Sequence, residues 1–311
     1  MKFLITGALG HIGSRLVREL PVYFRDCEII MLDNLMTQRY CSLFNLPGIA
    51  KYSFVEADLT RLFLDDLLLD VDVVVHLAAI TDAAGSVDRA DQVEKNNFDT
   101  TERLARTCLH LNVPLITISS TSVYGTQAEE VDEDCPREDL KPQSPYAITK
   151  LKEERLVQSM ATENGLKAGI LRLGTIFGIS PGMRFHTAVN KFCWQAAMGI
   201  PLTVWSTAYD QKRPYLYLGD ACRAIVHMIQ NQLFDGSIYN VITLNATVRE
   251  IIEPIRLMKS NLKINFVDNR IMNQLSYEVK DDKIRNTGFI PDGNLEKSIA
   301  EVMSMIRLPN R

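Results

Sequence analysis

The chain predicts an α/β protein, with a doubly wound parallel sheet covered by helices on both faces and a smaller α/β domain after it. Three observations carry that reading. Short apolar runs alternate with longer runs of helical spacing. One of them, Val71-Asp72-Val73-Val74-Val75, is β-branched and nearly continuous, as a strand buried on both faces requires. Glycine or polar residues recur where these runs end. Strand and helix in alternation imply right-handed βαβ crossovers and a parallel sheet.

Taken in order, Lys2-Phe3-Leu4-Ile5-Thr6 reads as the first strand, and Gly7-Ala8-Leu9-Gly10-His11-Ile12-Gly13 follows at once. Leu16, Val17 and Leu20 then keep a helical spacing that stops at Pro21. A second strand, Glu28-Ile29-Ile30-Met31-Leu32, ends in Asp33. Further strands are expected at 52–55, 72–77, 114–119 and 167–173, and helices at 97–111 and 145–163. Past Phe177 the pattern changes to loop chemistry in Gly178-Ile179-Ser180-Pro181-Gly182. A helix at 188–198 and short elements at 216–220 and 238–242 come next. The last helix, 295–306, puts Leu295, Ile299, Val302, Met303 and Ile306 on one face.

Strand, glycine turn and helix form the context of a Rossmann-type dinucleotide site. The glycines let the backbone turn tightly and approach a pyrophosphate, and the helix N-terminus offers that anion free N–H groups and a positive dipole end. Asp33, about twenty residues past Gly13, can accept hydrogen bonds from the adenosine ribose and would repel a 2′-phosphate, which favours NAD over NADP. The turn and the second strand end make Gly7, Gly10, His11, Ile12, Gly13 and Asp33 expected cofactor residues. At His11 the backbone N–H should matter more than the imidazole. The alternative is an ordinary glycine turn with Asp33 at a strand end.

Tyr146 and Lys150 stand at i and i+4, on one face of the helix at 145–163. A phenol in water keeps its proton to about pH 10. A nearby ammonium favours the phenolate and makes Tyr146 a usable base near neutral pH. Beside a nicotinamide, such a base removes the proton of a secondary alcohol while hydride leaves its carbon. Alone, the pair could be chance on a solvated helix.

The Gly-x-x-Gly-x-x-Gly turn after Thr6 is joined by Asp58-Leu59, His76-Leu77-Ala78-Ala79, Ser119-Ser120-Thr121-Ser122-Val123-Tyr124-Gly125 and Tyr146-x-x-x-Lys150. With these motifs the chain resembles the extended short-chain dehydrogenase/reductases, and among them the NAD-dependent nucleotide-sugar epimerase/dehydratase group. The resemblance runs from Met1 to about Gly178 and resumes from Arg213 to Asp220. It implies that Tyr146, Lys150 and Ser120 are catalytic, and that Tyr146 and Lys150 also meet the cofactor, Lys150 at the nicotinamide ribose. It implies too that Asn34, Asp58, Leu59, Leu77, Ala78, Ala79, Asn96 and Ser119 complete the cofactor contacts. Backbone capping is the alternative for these serine and threonine hydroxyls. The resemblance further implies a first domain of 1–175, to which part of 207–245 returns, and a substrate domain of 176–311.

The group's sugar 4,6-dehydratases carry an Asp-Glu pair after the catalytic Ser/Thr; here Thr121 and Ser122 stand there, and neither does acid/base work near neutral pH. The resemblance therefore implies oxidation at C4 of a nucleoside diphosphate sugar, by a 4-epimerase or a 4-dehydrogenase. A keto-sugar or other carbonyl reductase, an alcohol dehydrogenase unconnected with sugars and a non-catalytic NAD-binding sensor are the alternatives. Arg213 matches the diphosphate clamp, a task that suits the planar guanidinium. Thr175 and Thr81 replace the Asn and Lys common in epimerases, a departure from UDP-galactose 4-epimerases. Arg184, His186 and Asn190 are expected on a substrate loop. The helices at 97–111 and 145–163 resemble the pair through which family members form a four-helix dimer contact, with Leu104, Cys108 and Leu111 an apolar stripe on the first and Leu156 and Met160 on the second. A single-domain core is the alternative use of these residues.

Bulk properties agree. With 311 residues, 46% of them apolar, the chain can bury a large core. A net charge of −4 gives no footprint for nucleic acid or anionic membrane. The 6 cysteines show no metal spacing, which points to reduced thiols, no zinc and a cytoplasmic setting. No signal peptide or membrane span is expected.

Overall fold

The computed structural model describes residues 1–81, 87–125, 129–268 and 276–306. The first half runs β1 (Lys2–Thr6), α1 (His11–Tyr23), β2 (Glu28–Asp33), β3 (Lys51–Glu56), α2 (Asp65–Leu68), β4 (Val73–His76), α3 (Ala90–Leu111), β5 (Leu115–Ser120), β6 (Glu130–Val131), α4 (Pro145–Asn164) and β7 (Ala168–Leu173). The second runs β8 (Thr175–Phe177), α5 (Ala188–Ala197), β9 (Leu202–Trp205), β10 (Arg213–Tyr217), α6 (Leu218–Gln230), β11 (Asp235–Val241), β12 (Leu244–Ala246) and α7 (Val248–Met258). It closes with β13 (Ile264–Val267), β14 (Glu278–Val279), α8 (Asp282–Arg285) and α9 (Leu295–Met305).

Seven strands build a wholly parallel sheet in the order β11-β7-β5-β4-β1-β2-β3. The order reverses at β1, and there the carboxyl ends open a crevice that suits a ligand. One face of the sheet packs on α1 and α6 through Leu16, Val17, Ala221 and Ile225. The other packs on α3 and α4 through Leu104, Cys108, Val157 and Met160. A third core joins α5, α7 and α9 through Phe192, Ile251 and Val302.

Three local results refine the sequence reading. Helix α1 continues past Pro21 to Tyr23, because the Tyr52 hydroxyl, at 3.2 Å, takes up the Val17 carbonyl that Pro21 cannot serve. The short element expected at 216–220 is the end of β10 and the start of α6, whose buried Leu218, Ala221, Ile225 and Met228 carry a helical period. Helix α3 starts at Ala90, well before 97, since its polar first turns show no apolar period. Helix α4 is bounded by local chemistry: the Ser144 side chain caps the Ala147 N–H, Pro145 opens the first turn, and Gly165 closes it at φ 81°.

The apolar stripe expected to meet a second copy faces the protein's own sheet instead. Leu104 and Cys108 are 0% exposed and Met160 is 6% exposed. The outer side of the pair carries charge, including the ion pairs Lys152–Glu94 and Arg106–Glu102. Among the described residues no helix is long and apolar enough to cross a membrane, and no cluster of ligating side chains could hold a metal.

Candidate active site

The groups expected to hold the cofactor and do the chemistry sit at carboxyl ends of the sheet or on the turn or helix that follows. Gly7 has φ +64°, and a Cβ there would lie 2.7 Å from the Ala78 nitrogen. A Cβ on Gly13 would lie 2.4 Å from the Gly7 carbonyl oxygen. Gly10 starts α1 with no side-chain cap and no acid in the first turn, so its N–H groups and dipole face an arriving anion. Asp33 is oriented by backbone, with Oδ2 accepting from the Leu9 N–H and Oδ1 from the Leu35 N–H, both at 3.0 Å. Each oxygen keeps a lone pair for a ribose hydroxyl. The Thr60 N–H and hydroxyl bind Asp58 and hold its carboxyl below the ordinary range.

The strand end at Ala78 is fixed by its N–H, which donates to Thr6 Oγ1 at 3.2 Å. One turn further, the Asn97 side chain clamps both backbone groups of Ile80, at 2.8 and 3.0 Å, and takes a bond from Asn96. The Ser119 hydroxyl is buried with no hydrogen-bond partner among the described residues. A glycine cradle without room for side chains, a tethered carboxylate and an orphaned hydroxyl together fit NAD. Asp33→Ala should reduce the preference for NAD over NADP by about tenfold, the worth of one charge-assisted bond. Calorimetric titration of both cofactors measures it, and an unchanged ratio would remove Asp33 from the ribose.

Ser120 ends β5, and Tyr146 lies in the first turn of α4, with the Ser120 hydroxyl close enough to pull the Tyr146 pKa downward. Ser122 donates to Ser120 Oγ twice, from its N–H at 3.2 Å and its hydroxyl at 2.9 Å. The Ser120 proton is thereby left to point toward Tyr146 or a substrate oxygen. Lys150 is 4% exposed, and its ammonium donates to Glu153 Oε2 at 2.8 Å.

The phenol of Tyr146 departs from the sequence expectation. Burial raises its pKa above the ordinary value, Lys150 pulls it back, and Glu153 pushes it up again, with a net rise. Lys150 does not bring the phenol below its ordinary range, because burial outweighs its pull and its charge is shared with the Glu153 carboxylate, which the spacing of Tyr146 and Lys150 does not announce. Yet the signal was in the chain: Tyr146, Lys150 and Glu153 fall at i, i+4 and i+7, one face of α4.

Arg184, ahead of α5, donates to Thr81 Oγ1, and its charge pulls the Tyr146 and His11 pKa values downward. The His11 side chain is more engaged than expected. It is 5% exposed, and its Nε2 lies 2.9 Å from the Gly178 carbonyl, so Nε2 carries the proton. Burial lowers the His11 pKa to about 4 and keeps the ring neutral. Asn190 is 0% exposed and spends its amide on the Gly178 N–H and the Arg184 carbonyl. These two bonds hold the loop that presents Arg184, and the amide keeps one N–H and one lone pair. The Ser180 hydroxyl reaches the His11 carbonyl at 2.8 Å, and the Gly182 N–H reaches Ser14 Oγ at 2.9 Å. Thr175 lies on β8 beside Tyr215. Arg213, on β10, stacks over the Tyr277 ring, and the Tyr277 hydroxyl donates to the Thr121 carbonyl at 3.2 Å.

The chain is similar to known proteins. The model of the NAD dependent epimerase/dehydratase family matches residues 3–241. An uncharacterized UDP-glucose epimerase of Bacillus subtilis is 30% identical over 250 residues, covering 78% of this chain and 76% of the relative. A trifunctional UDP-glucose 4,6-dehydratase of Arabidopsis thaliana is 29% identical across 96% of this chain, which spans only 46% of that protein's length. A mutant UDP-glucuronic acid 4-epimerase from Bacillus cereus was solved with NAD and a fluorinated UDP-glucuronic acid. It superposes with a TM-score of 0.89 at 26% identity, covering 98% of this chain and 99% of that one. The cofactor is NAD, and the chain belongs to the NAD-dependent epimerase/dehydratase family of the extended short-chain dehydrogenase/reductases.

Proposed function

We propose that the chain oxidises C4 of a nucleoside diphosphate sugar and returns the hydride to the opposite face, as a 4-epimerase. The observation that carries this reading is the joined set of Ser120, Tyr146 and Lys150, followed by hydroxyls at Thr121 and Ser122 where a dehydratase needs acid and base. Tyr146 takes the C4 hydroxyl proton, Ser120 donates a hydrogen bond to the same oxygen, and Lys150 favours the phenolate. Bound NAD supplies the hydride acceptor. With no acid/base group at Thr121 or Ser122, the C5 proton stays in place and no hydroxyl is expelled from C6.

Arg184 narrows the substrate. Its charge acts on Tyr146 and Thr81 tethers it, which supports a positive charge beside the carbons adjoining C4. A carboxylate at C6 would meet that charge, and the likeness to a structure holding a uronic acid derivative supports the same choice. The substrate class is therefore a nucleoside diphosphate uronate, with UDP-glucuronate the first candidate and Arg213 its diphosphate contact. Arg184→Ala should raise the KM for UDP-glucuronate at least tenfold, about 1.5–3 kcal/mol for a charge-assisted pair, and leave NAD affinity near wild type. NMR of product formation from UDP-glucuronate, UDP-glucose and dTDP-glucose decides among substrates. Accumulating NADH with a keto sugar in place of an epimer would make the enzyme a 4-dehydrogenase. A homodimer at work in the cytoplasm belongs to the same proposal, with the charged outer side of α3 and α4 as its contact.

A further inference from the structure

Beneath the base lies a buried polar chain that the reaction as derived leaves unused. Glu153 Oε2 accepts from the Lys150 ammonium at 2.8 Å and from the Thr101 hydroxyl of α3 at 3.1 Å. Thr101 Oγ1 lies 3.2 Å from His76 Nε2, and His76 Nδ1 lies 2.7 Å from Thr6 Oγ1. Thr6 Oγ1 in turn takes the Ala78 N–H.

Donor bookkeeping fixes every proton in this chain. The Thr101 proton goes to the carboxylate, so its oxygen accepts from His76 Nε2–H. His76 Nδ1 is then the acceptor and must be served by the Thr6 hydroxyl. Burial takes the His76 pKa down to about 3, so the ring is neutral, as this pattern requires. From the strand end at the cofactor crevice, each dipole points its proton toward Glu153.

Stability gives little reason for such a pair. Glu153 and Lys150 are each 4% exposed, and a buried ion pair is often no better than well-packed apolar side chains of similar volume. Glu153 Oε1 is also buried with no hydrogen-bond partner among the described residues. An arrangement this costly points to a role in chemistry.

We propose that Glu153 is a positioning residue for the base: anchored by Thr101 and His76, its carboxylate holds the Lys150 ammonium and cancels part of its charge, so that Tyr146 keeps its proton more tightly. This rests on Tyr146 being the base. The other charges facing the pair do not replace Glu153. Glu154, on the same helix, is bound by both arms of Arg172 from β7. Arg184, from the substrate loop, acts on Tyr146 in the opposite direction, and neutral His76 carries no charge. With Lys150 and Glu153 nearly balanced, Tyr146 ionises more readily beside an oxidised, cationic nicotinamide than beside a reduced, neutral one. The same residue is thus poised as base before hydride transfer and as acid after it.

The test needs no substrate. Tyrosine labelled with ¹³C at the ring carbon bearing the hydroxyl gives one NMR signal per phenol, and comparison with Tyr146→Phe identifies Tyr146. In the NAD-bound protein, Glu153→Gln should move the Tyr146 titration to lower pH by on the order of one unit. Glu153→Met, of similar volume, should move it the same way. Titrations that coincide with wild type over the whole folded range, or that move to higher pH, overturn the proposal. Because the signal is read without turnover, a silent screen of nucleotide sugars would count against the proposed reaction and leave this result standing.

Discussion

Tyr146→Phe should lower turnover by about 10²–10⁴-fold, the usual contribution of a positioned acid–base group. The substitution keeps a half-buried ring and removes only the hydroxyl that meets Ser120. NAD affinity and the unfolding midpoint should therefore stay close to wild type. The pH profile gives a second reading. Burial raises the phenol above its ordinary value, and the base must lose its proton to act, so wild-type oxidation should rise with pH along the acid limb. In Tyr146→Phe that limb should vanish with the activity. Initial rates of NAD reduction or epimer formation across the pH range measure both effects. Wild-type rates in Tyr146→Phe would move the base elsewhere.

Arg172→Met should cost about 3–5 kcal/mol of unfolding free energy, the expected result of stranding one member of a buried ion pair. Arg172 and Glu154 are each 2% exposed. The guanidinium grips both carboxylate oxygens, at 2.8 and 2.7 Å, and donates to the Tyr124 hydroxyl at 2.9 Å. Met fills much of the same volume but leaves a bare carboxylate in the core. Replacing Glu154 with Leu in the same chain should recover most of the loss. Denaturant unfolding of both single variants and the double variant measures the coupling, and additive losses would show that the two side chains are independent. The effect should also reach the site, because β7 pairs Leu173 with Ser120.

What the sequence made legible was local. The glycine turn, Asp33, Ser120 and the Tyr146–Lys150 pair are written within short windows, where spacing translates directly into a turn or a helix face. The parallel sheet followed from alternation alone. What stayed hidden depends on distant partners. Thr101 meets Glu153 across 52 residues and His76 across 25, and no period in the chain announces either contact. Asn190 looked like a ligand for substrate because it is polar and lies near a loop. Only the fold shows its amide bonded to Gly178 and Arg184 as a brace for the loop. The stripe of Leu104, Cys108 and Met160 is real, but periodicity cannot say whether an apolar face meets its own sheet or another copy.

Strand β11 has a consequence for how the chain reaches this form. It pairs in parallel with β7 at the margin of the main sheet, and α6, just before it, covers the face beside α1. Both arrive roughly two hundred residues after α1 has left the ribosome, a long separation that slows the search for native contacts. Until then the nascent chain carries an open row of β7 amides and carbonyls and a bare apolar flank, both invitations to aggregation. A product truncated near residue 175 would keep the turn, the base and its ammonium. It should still collect in inclusion bodies, and the recovered soluble yield should rise sharply once the cut is moved beyond Val241.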